Sequence, residues 1–227
     1  MIHLVNSSIM IDTKQYQLSS MESNLLEIIH EYLENNRTFN LEKIIPFINH
    51  RTSQMSIDIN NKGIKIVLES LLKKKLIVEG SKLTQEEILK NKKRRKILEF
   101  ILNNPGANFN KIVKTTDICN HLVAWHLNML IKFGIINKTQ LKNEREIYFS
   151  QELEPDQAVK LHFLSKKKCK RIFQYIKKDD MGVLKTHLVD NLNFHPHTIE
   201  KYLNILLEFQ LVVMKKESNK TLYFLND

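Results

Sequence analysis

Nine histidines, two cysteines and one tryptophan are the residues with which this 227-residue chain could do specialised chemistry. The stretch CNHLVAWHLNMLIKFGII, residues 119–136, gathers Cys119, His121, Trp125 and His126. Histidine with cysteine is the donor set of a zinc site. Two ligands on one helical face need a spacing of four, as in HExxH. His121 and His126 are five apart, and His195 and His197 are two apart. Neither pair fits, and no CxC or CxxC accompanies them. The sequence holds no phosphate loop, nucleophile elbow or paired-carboxylate constellation, and five glycines are too few for a glycine-rich nucleotide cradle. The expectation is no catalytic residue, no metal, no cofactor and no enzyme.

Charge points elsewhere. Lys and Arg number 35 against 25 Asp and Glu, a net charge of +10 with a pI near 9.4. Such a balance favours polyanions, either nucleic acid or an acidic membrane surface. The compositional alternative is a coding bias, since the chain is rich in Lys, Asn and Ile, as AT-rich genomes encode. Lys92, Lys93, Arg94 and Arg95 open one predicted helix, and Lys167 and Lys168 open another. Positive charge at a helix start opposes the macrodipole by ~0.3–1 kcal/mol. Its repeated placement there points to phosphate contacts, with a solvated lysine-rich face as the bland alternative. Lys142, Arg145, Lys216 and Lys220, in two predicted hairpins, are further phosphate candidates.

The elements that must position these residues emerge from an internal repeat. At an offset of 76, Val123, Leu127, Asn128, Leu130 and Phe133 meet Ile199, Leu203, Asn204, Leu206 and Phe209. At 75, Ile97 and Ile101 meet Ile172 and Ile176, and IYF (147–149) meets LYF (222–224). A fainter copy, VLESLLKKKLIV (67–78), aligns with 126–137 at an offset of 59.

In the middle copy, residues 92–104 place Ile97, Leu98, Ile101 and Leu102 on one helical face. Pro105 and Gly106 end that helix. Asn108 caps a short helix over 109–115, and a longer one runs from about Asn120 to Phe133, with Gly134 at its C′ position. Strands over 135–140 and 146–150 flank a charged loop. The last copy repeats this order: helices over 166–177, 184–191 and 196–209, then strands near 211–215 and 221–225. The expected fold is mainly α with small β-hairpin wings: tandem winged helix-turn-helix domains, two clear and one degenerate. The expected division is an extended segment 1–19, a degenerate domain 20–90, a domain 91–150, a linker 151–164 and a domain 165–227. The first copy lacks room for a wing and carries Pro46 in its second helix, while Thr84 and Glu87 form a capping box for a further helix.

The run NPGANFNKIVKTTDICNHLVAWHLNMLIKFGII, with the closing EIYF, resembles the winged-helix domains of archaeal ArsR/MarR-type transcription regulators. The likeness covers 91–150 well, 165–226 fairly and 20–83 weakly. It implies sequence-directed binding of double-stranded DNA and regulation of transcription. The metal-sensing cysteine pair of some ArsR-type proteins is absent.

In a helix-turn-helix the third helix presents its N-terminal and outward residues to base edges. Here these are Asn120, His121, Trp125 and Asn128, with Leu122 and Ala124 beside them, and His197, Lys201 and Asn204, with Thr198 and Glu200. Asn pairs with adenine through two hydrogen bonds. Neither helix carries Arg, so a strong G·C preference is not expected. Trp125 aligns with Lys201 and faces outward, where packing on a neighbour or a dimer contact competes with DNA. His126 aligns with Tyr202 and is expected half-buried. Winged helices also build protein-interaction subunits resembling ESCRT-II or general transcription factors, which is the rival reading. A homodimer or a transcription-machinery protein are the further partners considered. No stretch approaches the ~18 apolar residues of a membrane span. The start MIHLVNSSIMIDTKQ lacks a signal-peptide pattern, and two cysteines suit a reducing, cytoplasmic interior.

Overall fold

The computed structural model describes residues 17–141, 145–217 and 219–226. The chain divides into two compact units, residues 1–92 and 93–227, each described here by itself.

The first unit holds helices α1 (Ser20–Asn35), α2 (Leu41–Gln54), α3 (Asn61–Lys73) and α4 (Gln85–Lys90). Leu25, Ile28 and Ile29 of α1 meet Ile44 and Ile48 of α2 and Ile64, Leu68 and Leu71 of α3 in one apolar core. Spacings of three and four put these residues on one face of each helix. Ser19 and Glu22 form a capping box at the start of α1. The same Glu22 carboxylate accepts from Ser70 Oγ at 2.7 Å and Lys74 Nζ at 2.6 Å, tying the start of α1 to the end of α3. These bonds, the one to Lys74 foremost, pull its pKa down to about 2.

Pro46 lies inside α2, and the helix continues through it because Ile44 and Ile48 on either side are fully buried. Thr84 and Glu87 form the expected capping box at α4. Among the described residues no strand precedes Ala107. Most of the expected extended segment, residues 1–16, lies outside the described residues.

The second unit runs α5 (Lys92–Asn103, begun at the division), β1 (Ala107–Asn108), α6 (Phe109–Thr116), α7 (Asn120–Lys132), β2 (Ile136–Gln140) and β3 (Glu146–Ser150). Helix α8 (Pro155–Ser165) follows. The earlier order then returns as α9 (Lys167–Lys177), β4 (Val183–Leu184), α10 (Lys185–Leu192), α11 (Pro196–Glu208), β5 (Val212–Glu217) and β6 (Lys220–Leu225). The architecture is mainly helical with small antiparallel sheets, which is compatible with a winged helix. Each sheet has three strands rather than the two expected, in the orders β1-β3-β2 and β4-β6-β5. The extra strands β1 and β4 are two residues long, too short to carry a period-2 signal.

Helix ends repeat more faithfully than sequence. After α7, Gly134 N–H donates to Ile131 O and Ile135 N–H to Leu130 O, both at 2.9 Å. After α11, Gln210 and Leu211 make the same two bonds to Leu207 and Leu206. After α3, Lys75 and Leu76 make them to Leu72 and Leu71. All three are Schellman closures around a left-handed residue, and two use side-chain-bearing residues at a cost of about 1–2 kcal/mol. A left-handed residue also follows the preceding helix each time: Ser56, Asp117 and Asn193.

Residues 151–164, expected as a linker, contain most of α8. Pro155 starts this helix at a position that needs no N–H. Its Ala158 and His162 are buried, and His162 Nδ1 lies 2.7 Å from Gly106 O. The segment is therefore packed structure, with α8 seated on the turn before β1. Gly106 sits at φ +81°, and a Cβ there would stand 2.6 Å from the Ala158 carbonyl oxygen.

Candidate nucleic-acid interface

Helix α7 shows how the site is built. The Asn108 side chain caps α6 by accepting from Lys111 N–H at 3.0 Å. Asp117, at φ 54°, then turns the chain into α7. Val123, Leu127 and Leu130 lock α7 onto the core. Asn120, His121, Trp125 and Asn128 are left exposed on the opposite side, and Leu122 and Ala124 are half-buried. In α11, Ile199, Leu203 and Leu206 do the locking, and His197, Lys201 and Asn204 are exposed. Glu200 on α11 is paired with Lys185 Nζ at 3.1 Å, which ties α10 to α11 and offsets its charge.

The basic residues divide. Lys92, Lys93 and Arg95 are exposed, as are Lys167 and Lys168 on α9, Arg145, Lys216 and Lys220. Lys142 lies outside the described residues. Arg94 corrects the expectation: it is 1% exposed and cannot reach a phosphate from this position. Its guanidinium lies 5.1 Å from the centroid of the Trp125 ring. Burial lowers its pKa from the ordinary arginine value. Arg94 stands three residues before Ile97 and four before Leu98, on the inward face of α5, but its cover, Trp125, comes from a helix some 30 residues further on. The 75-residue offset also matches it with Cys169, which is fully buried.

His126 is likewise more buried than expected, at 2% exposure. Its ring centroid is 4.9 Å from that of Trp125. Burial first, then the charges of Arg94 and Lys93, lower its pKa and keep the imidazole neutral. Trp125 itself is 48% exposed, a fixed aromatic plane with a cation behind it. In the last module the corresponding contact differs. Phe194, just before α11, carries Arg171 at 4.8 Å and Lys168 at 5.7 Å.

The hairpin of β2 and β3 is anchored by Lys138 Nζ to Glu146 Oε1 at 2.7 Å. That bond lowers the Glu146 pKa. Burial, with Glu146 beside it, pushes the Tyr148 phenol up to about 12. Among the described residues, no cluster of three His, Cys, Asp or Glu stands close enough to hold a metal. Cys119 Sγ approaches His121 Nε2 at 3.8 Å, and Cys169 is buried in the core of the last module.

Charge is distributed as unevenly as burial. Residues 93–227 hold 23 Lys and Arg against 14 Asp and Glu, while residues 1–92 hold 12 against 11. The second unit thus carries +9 of the +10.

No family model matches the chain. A protein of Methanocaldococcus jannaschii described as an uncharacterized HTH-type transcriptional regulator is 29% identical over 145 residues. That match takes in 64% of this chain and 36% of the relative, so the chain spans about a third of the relative's length. Two solved structures align with low scores. The bacterial selenocysteine-specific elongation factor EF-Sec aligns at TM-score 0.29 and 17% identity, over 91% of this chain and 30% of its own. The DIP2311 protein from Corynebacterium diphtheriae aligns at 0.25 and 10%, over 62% and 27%. Scores this low carry no argument about the fold.

Proposed function

We propose that the chain is a DNA-binding regulator of transcription built from tandem winged-helix modules, with 93–150 and 167–226 as the DNA-binding copies. The observation that carries this is the exposed face of α7, with its asparagines, histidine and tryptophan, in the unit that holds +9 of the net charge. Likeness to a protein described as an HTH-type regulator supports it. The three matching helix ends after α3, α7 and α11 support a threefold repeat.

In this reading the exposed Lys and Arg of α5, α9 and the hairpins neutralise phosphates, and the outward residues of α7 and α11 meet base edges. The first unit has a different part. It is close to neutral and, among its described residues, has no strand to serve as a wing. We assign it to protein contact, with a second copy or a transcription-machinery protein.

The test is a titration of the full chain against a fluorescent duplex of about 30 base pairs between 50 and 200 mM salt. Six phosphate contacts predict an affinity loss of roughly 10³-fold over that range. Absence of binding at low salt, or binding indifferent to salt, rules the proposal out.

A further inference from the structure

Helices α7 and α11 superimpose in sequence at an offset of 76, and only four of their 13 positions are identical. Leu127 with Leu203 and Leu130 with Leu206 are buried, so packing accounts for them. The other two identities, His121 with His197 and Asn128 with Asn204, are exposed. Packing against the core asks for neither. Among the described residues, neither asparagine side chain has a hydrogen-bond partner within the protein. Seven residues separate the histidine from the asparagine in each helix. That is nearly two turns, so both lie on one face, with a rise of about 10.5 Å. In the major groove this rise spans about three base pairs.

We infer that the two modules read the same short adenine-containing subsite, with Asn128 and Asn204 as equivalent adenine readers, so that one chain's DNA target carries two similar elements. This rests on the DNA-binding reading above. An asparagine amide accepts from adenine N6 and donates to N7, a pairing no other base offers in that groove. Midway along each stripe the modules part. Trp125 presents an indole plane backed by Arg94, whereas Lys201 presents a cation. The indole suits the thymine methyl, and the ammonium suits a guanine acceptor or a phosphate. The elements are therefore alike at the asparagine and unlike beside it.

The experiment is selection of bound fragments from a random duplex library with the full chain, then with Asn128→Ala and Asn204→Ala. The expected motif has two similar elements. Each variant relaxes the adenine preference at one of them, a different one, by about 5- to 100-fold. Both side chains are exposed, so melting temperatures stay unchanged. A motif with a single element, both variants relaxing the same position, or one variant relaxing both elements (a dimer reading with one module) overturns the inference. So does a motif neither variant alters. Fragments retained without any motif leave DNA binding standing and remove the inference alone. No retention at low salt removes both.

Discussion

Within the basic run at the start of α5, Lys93, Arg94 and Arg95 have separable roles, and Arg94 is the sharpest place to show it. Arg94→Ala removes one of the largest fully buried side chains in the protein. Lost packing of a long side chain in a core costs about 2–4 kcal/mol. Losing the contact with the Trp125 ring adds about 1–2 kcal/mol. Release from burying a guanidinium offsets part of this. The net expectation is destabilisation by about 2 kcal/mol, or some 4–8 °C in the melting of the second unit.

Salt dependence should behave in the opposite way. Lys93→Ala and Arg95→Ala, both exposed, should each lower the slope of log affinity against log salt by about 0.9 and leave melting unchanged. Arg94→Ala should leave that slope alone. Arg94→Met, which keeps the apolar stem, should recover most of the lost stability. The assays are calorimetry and fluorescence titration of duplex DNA at several salt concentrations. If Arg94→Ala melts like the parent and lowers the slope as Lys93→Ala does, the buried position is wrong and the reasoning fails.

Three other outcomes follow from the geometry. His126 has a lowered pKa in the fold, so the unfolded chain takes up its proton first. Stability is complete above pH ~6.5 and declines as pH falls toward the folded value, and His126→Leu should flatten that decline in calorimetric scans from pH 7 to 5. Glu22 acts in a separate, lower window, since its pKa falls from 4.5 to about 2. Its contribution to the first unit should fade between those values in acid titrations followed by circular dichroism, and Glu22→Gln should remove that part of the acid dependence. Gly106→Ala combines a left-handed backbone with a Cβ driven against the Ala158 carbonyl. It should loosen α8 by more than about 2 kcal/mol, seen as faster amide exchange across 155–165, and unchanged exchange there would contradict the packing described.

Period and punctuation made most of the elements legible in the sequence. Leucines and isoleucines three and four apart, Asn108 as a cap, Gly134 as a stop and Pro196 as a start placed the helices of the second unit other than α8 to within about two residues. These signals are local, and local signals depend only on backbone geometry and on which face must be buried. The recurrence at 75 and 76 then gave the register between copies. The outward residues of α7 and α11 followed, because whatever is not inward on a packed helix is exposed.

Tertiary structure decided the rest. Arg94 carries a charge that marked it for phosphate, yet its place on the inward face of α5 put it under Trp125. His126 stands next to Leu127 and was drawn in with it. The strands β1 and β4 exist only because β3 and β6 offer them partners, so two residues alone could not announce them. Residues 155–165 read as connection because their burial depends on a turn some 50 residues earlier, around Gly106. Apart from α8, the sequence by itself determined where the helices of the second unit start, stop and turn, since those choices are settled by each residue and its near neighbours. Only the fold decided which polar side chains were taken out of water, since that depends on surfaces brought together from far along the chain.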